Sequence, residues 1–398
     1  MKHWAIAAVL LASASPLAAE THRVEPGEGA GTRLQEALIL AAPGDVIEMG
    51  EGRFTLTDGL SLDVDNVTVR GAGMGKTVLD FTGQQGAGEG LLVTSDNVTL
   101  RDFAVENPKG DGIKSKGADN IVYYRVRVTW TGGPLETNGA YGIYPVESTG
   151  VLIDGCVVSG ASDAGIYVGQ SKDITVRYSV AEYNVAGIEI ENSRNARVHH
   201  NLATRNTGGI LVFDLPGLPV MNGGYVVIAD NLVVDNDTPN FAPPGNIVAG
   251  VRRGTGVMVM ANDDVVITRN RIDRNPTTAV MVISYPNAFD DARYNPAPRR
   301  VLIDRNSMGR NGYDPQLEGA AMLLAAFGGS LPPVLWDGLG DAPTAVGESN
   351  ASAWSLGLTR QGAGFETAQP AAAKLNPPAP GIQNPAQGAP AELEARLQ

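Results

Sequence analysis

A five-residue phrase returns along the middle of the chain at near-constant spacing. It reads Gly112-Ile113-Lys114-Ser115-Lys116, Gly142-Ile143-Tyr144-Pro145-Val146, Gly165-Ile166-Tyr167-Val168-Gly169, Gly187-Ile188-Glu189-Ile190-Glu191 and Gly209-Ile210-Leu211-Val212-Phe213. Two later copies are Gly256-Val257-Met258-Val259-Met260 and Ala279-Val280-Met281-Val282-Ile283. The steps from 142 to 165, 187 and 209 are 23, 22 and 22 residues. A unit this short cannot bury its own apolar face, so copies must stack and cover one another. That requirement selects a solenoid.

A second strand family alternates with the first, in Asn66-Val67-Thr68-Val69, Asn97-Val98-Thr99-Leu100, Asp173-Ile174-Thr175-Val176 and Asp264-Val265-Val266-Ile267 among others. Its period of two marks strands with one buried face. A shorter third element ends in asparagine, at Asn107, Asn184, Asn206, Asn236, Asn275 and Asn311, and a further series runs through Asn201, Asn231, Asn270 and Asn306. Stacked at equivalent turns, such amides bond to backbone and to one another as a ladder. Three strands per coil, like on like about 4.8 Å apart, predict an all-β, right-handed parallel β-helix of about nine coils.

The ends read differently. Residues 31–42 predict a capping helix, with Thr32 and Gln35 as a capping box and Leu34, Ala37, Leu38 and Ala41 at helical spacing before Pro43-Gly44. Residues 1–19 have the build of a secretory leader: Lys2 and His3, an apolar run from Trp4 to Ala14, and small residues at Ala18-Ala19. No other stretch is long and apolar enough for a membrane span. The single cysteine, Cys156, excludes a disulfide, and no lipidation cysteine adjoins the leader. The expectation is a soluble periplasmic or secreted protein, not a lipoprotein. It divides into the leader, a cap with first strands (20–60), repeats (61–330), and a C-terminal cap with an Ala/Pro-rich tail (331–398) expected to be flexible from 366. A net charge of −13 argues against nucleic acid as a partner.

Four insertions interrupt the repeat, at 130–141, 214–224, 237–255 and 285–299. Two precede the Gly-Ile strand and two follow it, so they should rise on both sides of its sheet and make that sheet the floor of a groove. Trp130, Tyr141, Phe213, Phe241 and Tyr285, in or beside the insertions, would supply aromatic walls.

The stretches 139–146, 162–171, 182–193 and 207–217, read together, resemble the pectate-lyase-like β-helix superfamily. More closely they resemble a family of exported bacterial parallel β-helix repeat proteins. The resemblance covers roughly residues 45–325. It implies the fold and an exported location, with no assigned activity, and a haem c-type protein as a possible partner. The wider superfamily includes lyases, hydrolases, epimerases and copper-maturation proteins, so fold alone selects none of them.

Within each phrase the Ile and Val positions point in and the intervening ones out. The first outward slot runs Lys114, Tyr144, Tyr167, Glu189, Leu211, Met258, Met281, and the second Lys116, Val146, Gly169, Glu191, Phe213, Met260, Ile283. The lower half suits an acidic carbohydrate. Lys114 and Lys116 would neutralise a uronate, as carbanion-forming lyase or epimerase chemistry requires. Tyr144 and Tyr167 would stack on sugar faces, or act as acid or base if the lysines lowered their pKa. Glu189 and Glu191, about 6.5–7 Å apart at the backbone, suit an acid–base pair or a Ca²⁺ site. Glu147, Asp163, Phe213 and Asp214 flank this floor as substrate-binding candidates, and Arg252-Arg253 would reach over it to clamp an anion. Solvated strand-face residues account equally well for each charge taken singly, while their clustering under four loops favours function for the set. In the upper half Met258, Met260 and Met281 present thioethers of the type that selects Cu(I). Packing beneath the 237–255 loop is the plainer account of them.

Overall fold

The computed structural model describes residues 19–86, 88–346, 352–363, 365–377 and 386–398, so the leader expected at 1–19 lies outside the described residues except for Ala19. Three parallel sheets wrap one core. The floor sheet carries the Gly-Ile strands and the back sheet the second family, with twelve strands each, and a side sheet of ten holds the short third elements. The chain therefore completes ten three-strand coils, one more than the repeat count predicted. The early coils lack the phrase and use strands such as Leu60–Leu62 and Leu91–Val93 instead.

Like stacks on like, as the solenoid argument requires. Ile143 lies opposite Ile166, Ile166 opposite Ile188, Ile188 opposite Ile210, and Ile210 opposite Val257. All five side chains are fully buried in one continuous apolar core. Asn184, Asn206, Asn236, Asn275 and Asn311 form one ladder, each Nδ2 donating to the next Oδ1 at 3.0–3.1 Å. Asn201, Asn231, Asn270 and Asn306 form another at 2.9–3.0 Å. The phrase glycine belongs to the first ladder. A Cβ at Gly165 would lie 2.6 Å from Asn184 Nδ2, and one at Gly187 2.7 Å from Asn206 Nδ2, so only glycine leaves room for the amides.

Two expectations about the ends are corrected. The helix spans Ala30–Leu40 and starts from Gly29 in a left-handed conformation (φ 68°) with no side-chain cap, so Thr32 and Gln35 make no capping box. Gln35 instead accepts from the Ser61 amide at 2.8 Å and donates to the Ser61 carbonyl at 3.0 Å, closing the edge of the first floor strand. The C-terminal segment is docked, not free. Ala371–Lys374 pairs antiparallel with Ser352–Ser355. Residues 386–398 then run along the back sheet, where Leu393 packs fully buried on Val122 and Leu152. Arg177 holds Glu394 through two bonds of 2.6–2.7 Å, Arg396 donates to the Asn120 carbonyl at 2.7 Å, and Arg101 to the Gln398 carbonyl at 3.0 Å. Apolar matches for Leu393 and charge matches for Glu394 and Arg396 outweigh the composition that suggested a loose tail.

Among the described residues no helix is long and apolar enough to cross a membrane.

Candidate functional site

The four insertions flank the floor sheet, two entering and two leaving its strands. They fold over its outer face, where Leu215, Met221, Phe241, Ile247, Tyr285 and Phe289 pack on an outer apolar cluster of Tyr167, Leu211, Phe213, Met258, Met260 and Met281. The outward ladder is consequently a second interior. Glu189 is 1% exposed and Glu191 6%, which rules out the solvated strand-face account for this pair.

These carboxyls form the centre of a hydrogen-bonded cluster. Gly169 lies opposite Glu191 and Tyr167 opposite Glu189. The Tyr167 ring lies over Gly169, where any Cβ would collide with it, and its hydroxyl donates to Glu191 Oε1 at 2.7 Å. The Glu189 carboxyl lies beside that of Glu191. Burial raises both, and the charges of Asp163 and Glu191 push Glu189 well above the ordinary carboxyl range. Bonds from Tyr167 and Glu189 restrain the rise at Glu191. Both carboxyls are thus held toward the protonated form, Glu189 the more strongly. Glu189 Oε2 has no hydrogen-bond partner.

Further carboxyls surround the pair. Asp163, beside the Tyr141 hydroxyl, is pushed up to about 7 by burial and then by Glu191, and its Oδ1 is unpartnered. Asp214, fully buried at the turn after Phe213, is raised to about 7, first by burial. Its carboxylate lies beside the amides of Asn222 and Gly223 without a full hydrogen bond to either. Buried polar atoms left without partners are uncommon in folded chains, and their concentration here singles out this floor as the candidate site. Tyr141, Tyr144 and Tyr167 pack as a ring triad with centroids 4.4–4.9 Å apart.

The structure revises several roles. Burial raises Tyr144 to about 12 and Tyr167 further, so the lysines do not make either phenol a ready base. Lys114 Nζ lies 3.2 Å from Glu89 and 3.6 Å from Asp111, and 4.9 Å over the Tyr144 ring, so its charge is already countered. Lys116 and Glu147 are exposed, Glu147 in a left-handed turn (φ 57°) from which its charge still reaches Tyr144. Arg253 is no clamp: it pairs with Asp237 and, at 2.7 Å, with Asp314. Arg252 stands exposed at the rim of an apolar cavity of about 340 Å³, whose walls include Phe213, Met258, Met260 and Met281. The methionines are 4% exposed and pack against Phe213 and Leu335, the packing role the sequence left open beside copper. Among the described residues no group of three or more His, Cys, Asp or Glu is placed to hold a metal ion, so the glutamate pair gains no calcium cage.

Asp111 and Tyr141 were missed as floor residues. Both precede a phrase glycine, where the strand bends and opens a third outward slot: Tyr141 lies opposite Ala164, and Ala164 opposite Ala186. Asp111 is raised to about 6 by burial, against the pull of Lys114. The residue before each Gly-Ile was the available signal.

A family model described as "right handed beta helix region" matches residues 58–216. With the three parallel sheets, this shows the fold to be a right-handed parallel β-helix, the fold that the pectate-lyase-like resemblance implies. Two similar solved structures share that fold. The A-module of the Azotobacter vinelandii mannuronan C-5 epimerase AlgE4 superposes with a TM-score of 0.50 at 15% identity, covering 79% of this chain and 90% of its own. The DFA-IIIase from Arthrobacter chlorophenolicus A6, lacking its lid and in complex with GF2, gives 0.53 at 14% identity, covering 81% and 94%. No curated protein matches in sequence.

Proposed function

We propose that this chain is a carbohydrate-processing enzyme whose reaction centre is the Glu189–Glu191 pair. The observation that carries the reading is the carboxyl pair Glu189–Glu191, buried side by side on the groove floor, with Tyr167 bonded to Glu191 and one Glu189 oxygen unpartnered. Two proteins of the same fold support it, a mannuronan C-5 epimerase and a DFA-IIIase in complex with GF2.

In this reading the protonated Glu189 donates its proton to the glycosidic oxygen as the bond to the anomeric carbon breaks. Glu191 takes the proton of the incoming water or sugar hydroxyl as the new C–O bond forms, and the shared proton is restored. Tyr167, a neutral phenol, holds Glu191 in place. Adjacent carboxyls are closer than the roughly 5–9.5 Å of separated glycosidase pairs, so in this reading the two act as a proton-sharing dyad. Acid-assisted cleavage or transfer suits this centre better than the elimination or epimerisation the sequence favoured, because neither tyrosine is poised as a base. With Lys114 occupied, a neutral saccharide fits the carboxyl-rich floor better than a uronate. Residues 1–19 have a leader's composition, and we place the activity in the periplasm or outside the cell; N-terminal sequencing of protein recovered from those fractions checks it.

The test is incubation of the mature protein with neutral and uronate oligosaccharide panels, with products read by mass spectrometry. Turnover should be present in the wild type, lost in Glu189→Gln and Glu191→Gln, and reduced in Tyr167→Phe. Unchanged turnover in Glu191→Gln, or no altered saccharide in either panel, refutes the proposal.

A further inference from the structure

Above the dyad the floor changes character without a break. Phe213 lies opposite Glu191 on one side and Met260 on the other, while Leu211 lies between Glu189 and Met258. Strands are about 4.8 Å apart, so the 340 Å³ cavity begins one strand beyond the dyad, on the same face. A volume of this size lies at the small-ligand end of binding pockets. Its walls are chiefly apolar, with thioethers from Met258, Met260 and Met281 and rings from Phe213 and Tyr285. Its polar groups are few: Arg252 at the rim, and Ser284 with Asp337, which are 5% and 4% exposed. The Ser284 amide donates to Asp337 Oδ2 at 2.7 Å, and the Ser284 hydroxyl lies beside the same carboxyl. A buried hydroxyl and carboxyl side by side in an otherwise apolar chamber suit a ligand that brings one polar atom with it.

From this continuity we infer that the cavity is an aglycone site: the substrate is a saccharide bearing an aryl-sized apolar substituent, seated among the methionines while the sugar lies over the dyad. The inference rests on the carbohydrate reading and extends it. Thioethers make favourable contacts with aromatic rings and adapt to their outline, and Ser284 Oγ would bond one oxygen on the ring. An unsubstituted polysaccharide would leave this chamber unused, since a sugar's hydroxyls would lose water there without enough partners.

Calorimetry on the mature protein tests it, using methyl and phenyl glycosides of glucose, galactose, mannose and fructose, with phenol alone as a further probe. For the sugar that binds, the phenyl glycoside should bind at least about tenfold more tightly than the methyl glycoside, given the apolar area buried. Filling the chamber by Leu358→Trp, and separately by Ser284→Phe, should bring that ratio close to one while thermal melting shows each variant folded. Equal binding of methyl and phenyl glycosides by the wild type overturns the aglycone site and leaves the dyad's role standing. Phenol bound as tightly as any phenyl glycoside, with no preference among sugars, overturns the carbohydrate reading and this inference with it.

Discussion

Asp214 offers the sharpest test of the physics claimed for the floor. Its carboxyl is fully buried, lacks a complete hydrogen bond, and is raised from 3.8 to about 7, first by burial and then by Asp263 and Glu191. In the unfolded chain the group ionises near its ordinary value. Below that pH both states hold the proton and nothing is lost. Between about 4 and about 7 the folded state keeps a proton that the unfolded state releases, so stability falls as pH rises through this window. One pKa unit corresponds to about 1.4 kcal/mol, which sets an upper bound of roughly 4 kcal/mol for a shift of this size, reached above pH 7. Asp163, raised to about 7, adds loss in the same window. Asp214→Asn keeps the shape and removes the charge. Urea denaturation at pH 4 and pH 8 should find the variant within about 1 kcal/mol of wild type at pH 4 and roughly 2–4 kcal/mol more stable at pH 8. Its melting temperature should rise by about 2 °C per kcal/mol gained. A variant equally destabilised at both pH values would show that Asp214 is well satisfied as an anion, and the desolvation argument would fall.

Other outcomes follow from named contacts. Gly169→Ala should displace the Tyr167 ring and break its bond to Glu191, costing about 1–3 kcal/mol and lowering any saccharide turnover more than Tyr167→Phe does; kinetics of the two side by side check this. Asn206→Ala removes bonds to Asn184, Ala181 and Asn236 and should cost roughly 3 kcal/mol or more, read from denaturation midpoints. Truncation after residue 377 should uncover Val122 and Leu152 and lower the melting temperature measurably by calorimetry. Cys156 is fully buried and pushed up to about 12, so it should resist a thiol reagent at pH 8 until the chain is unfolded in urea.

The repeat was legible because stacking imposes it on every coil. Ile143, Ile166, Ile188 and Ile210 must be apolar, and Asn184 through Asn311 must be amides, so both series stand out in one sequence. The site was legible by direction but not by environment. Glu189 and Glu191 were placed on the right face, yet period two says nothing about which loops cover that face, so their burial and the elevated Tyr144 were hidden. Lys114 was read as a free cation because its partner Glu89 lies outside the phrase. Asp111 escaped because the bend at Gly112 breaks strict alternation. The docked terminus escaped for the opposite reason: Glu394 and Arg396 find Arg177 and Asn120 across more than two hundred residues, a pairing no local pattern announces.

That terminal segment also sets how the molecule bears load. Residues 386–398 cross the back sheet over Arg197, Thr175, Leu152, Val122 and Arg101, which lie in five successive coils. A solenoid pulled by its last coil peels one strand at a time. Here tension applied at Gln398 reaches coils in the first half of the chain and acts along the sheet face, so the Arg177–Glu394 ion pair, the hydrogen bonds of Arg396 and Arg101 and the Leu393 contact must shear together. The end of the chain is an anchor set in the middle of the rod.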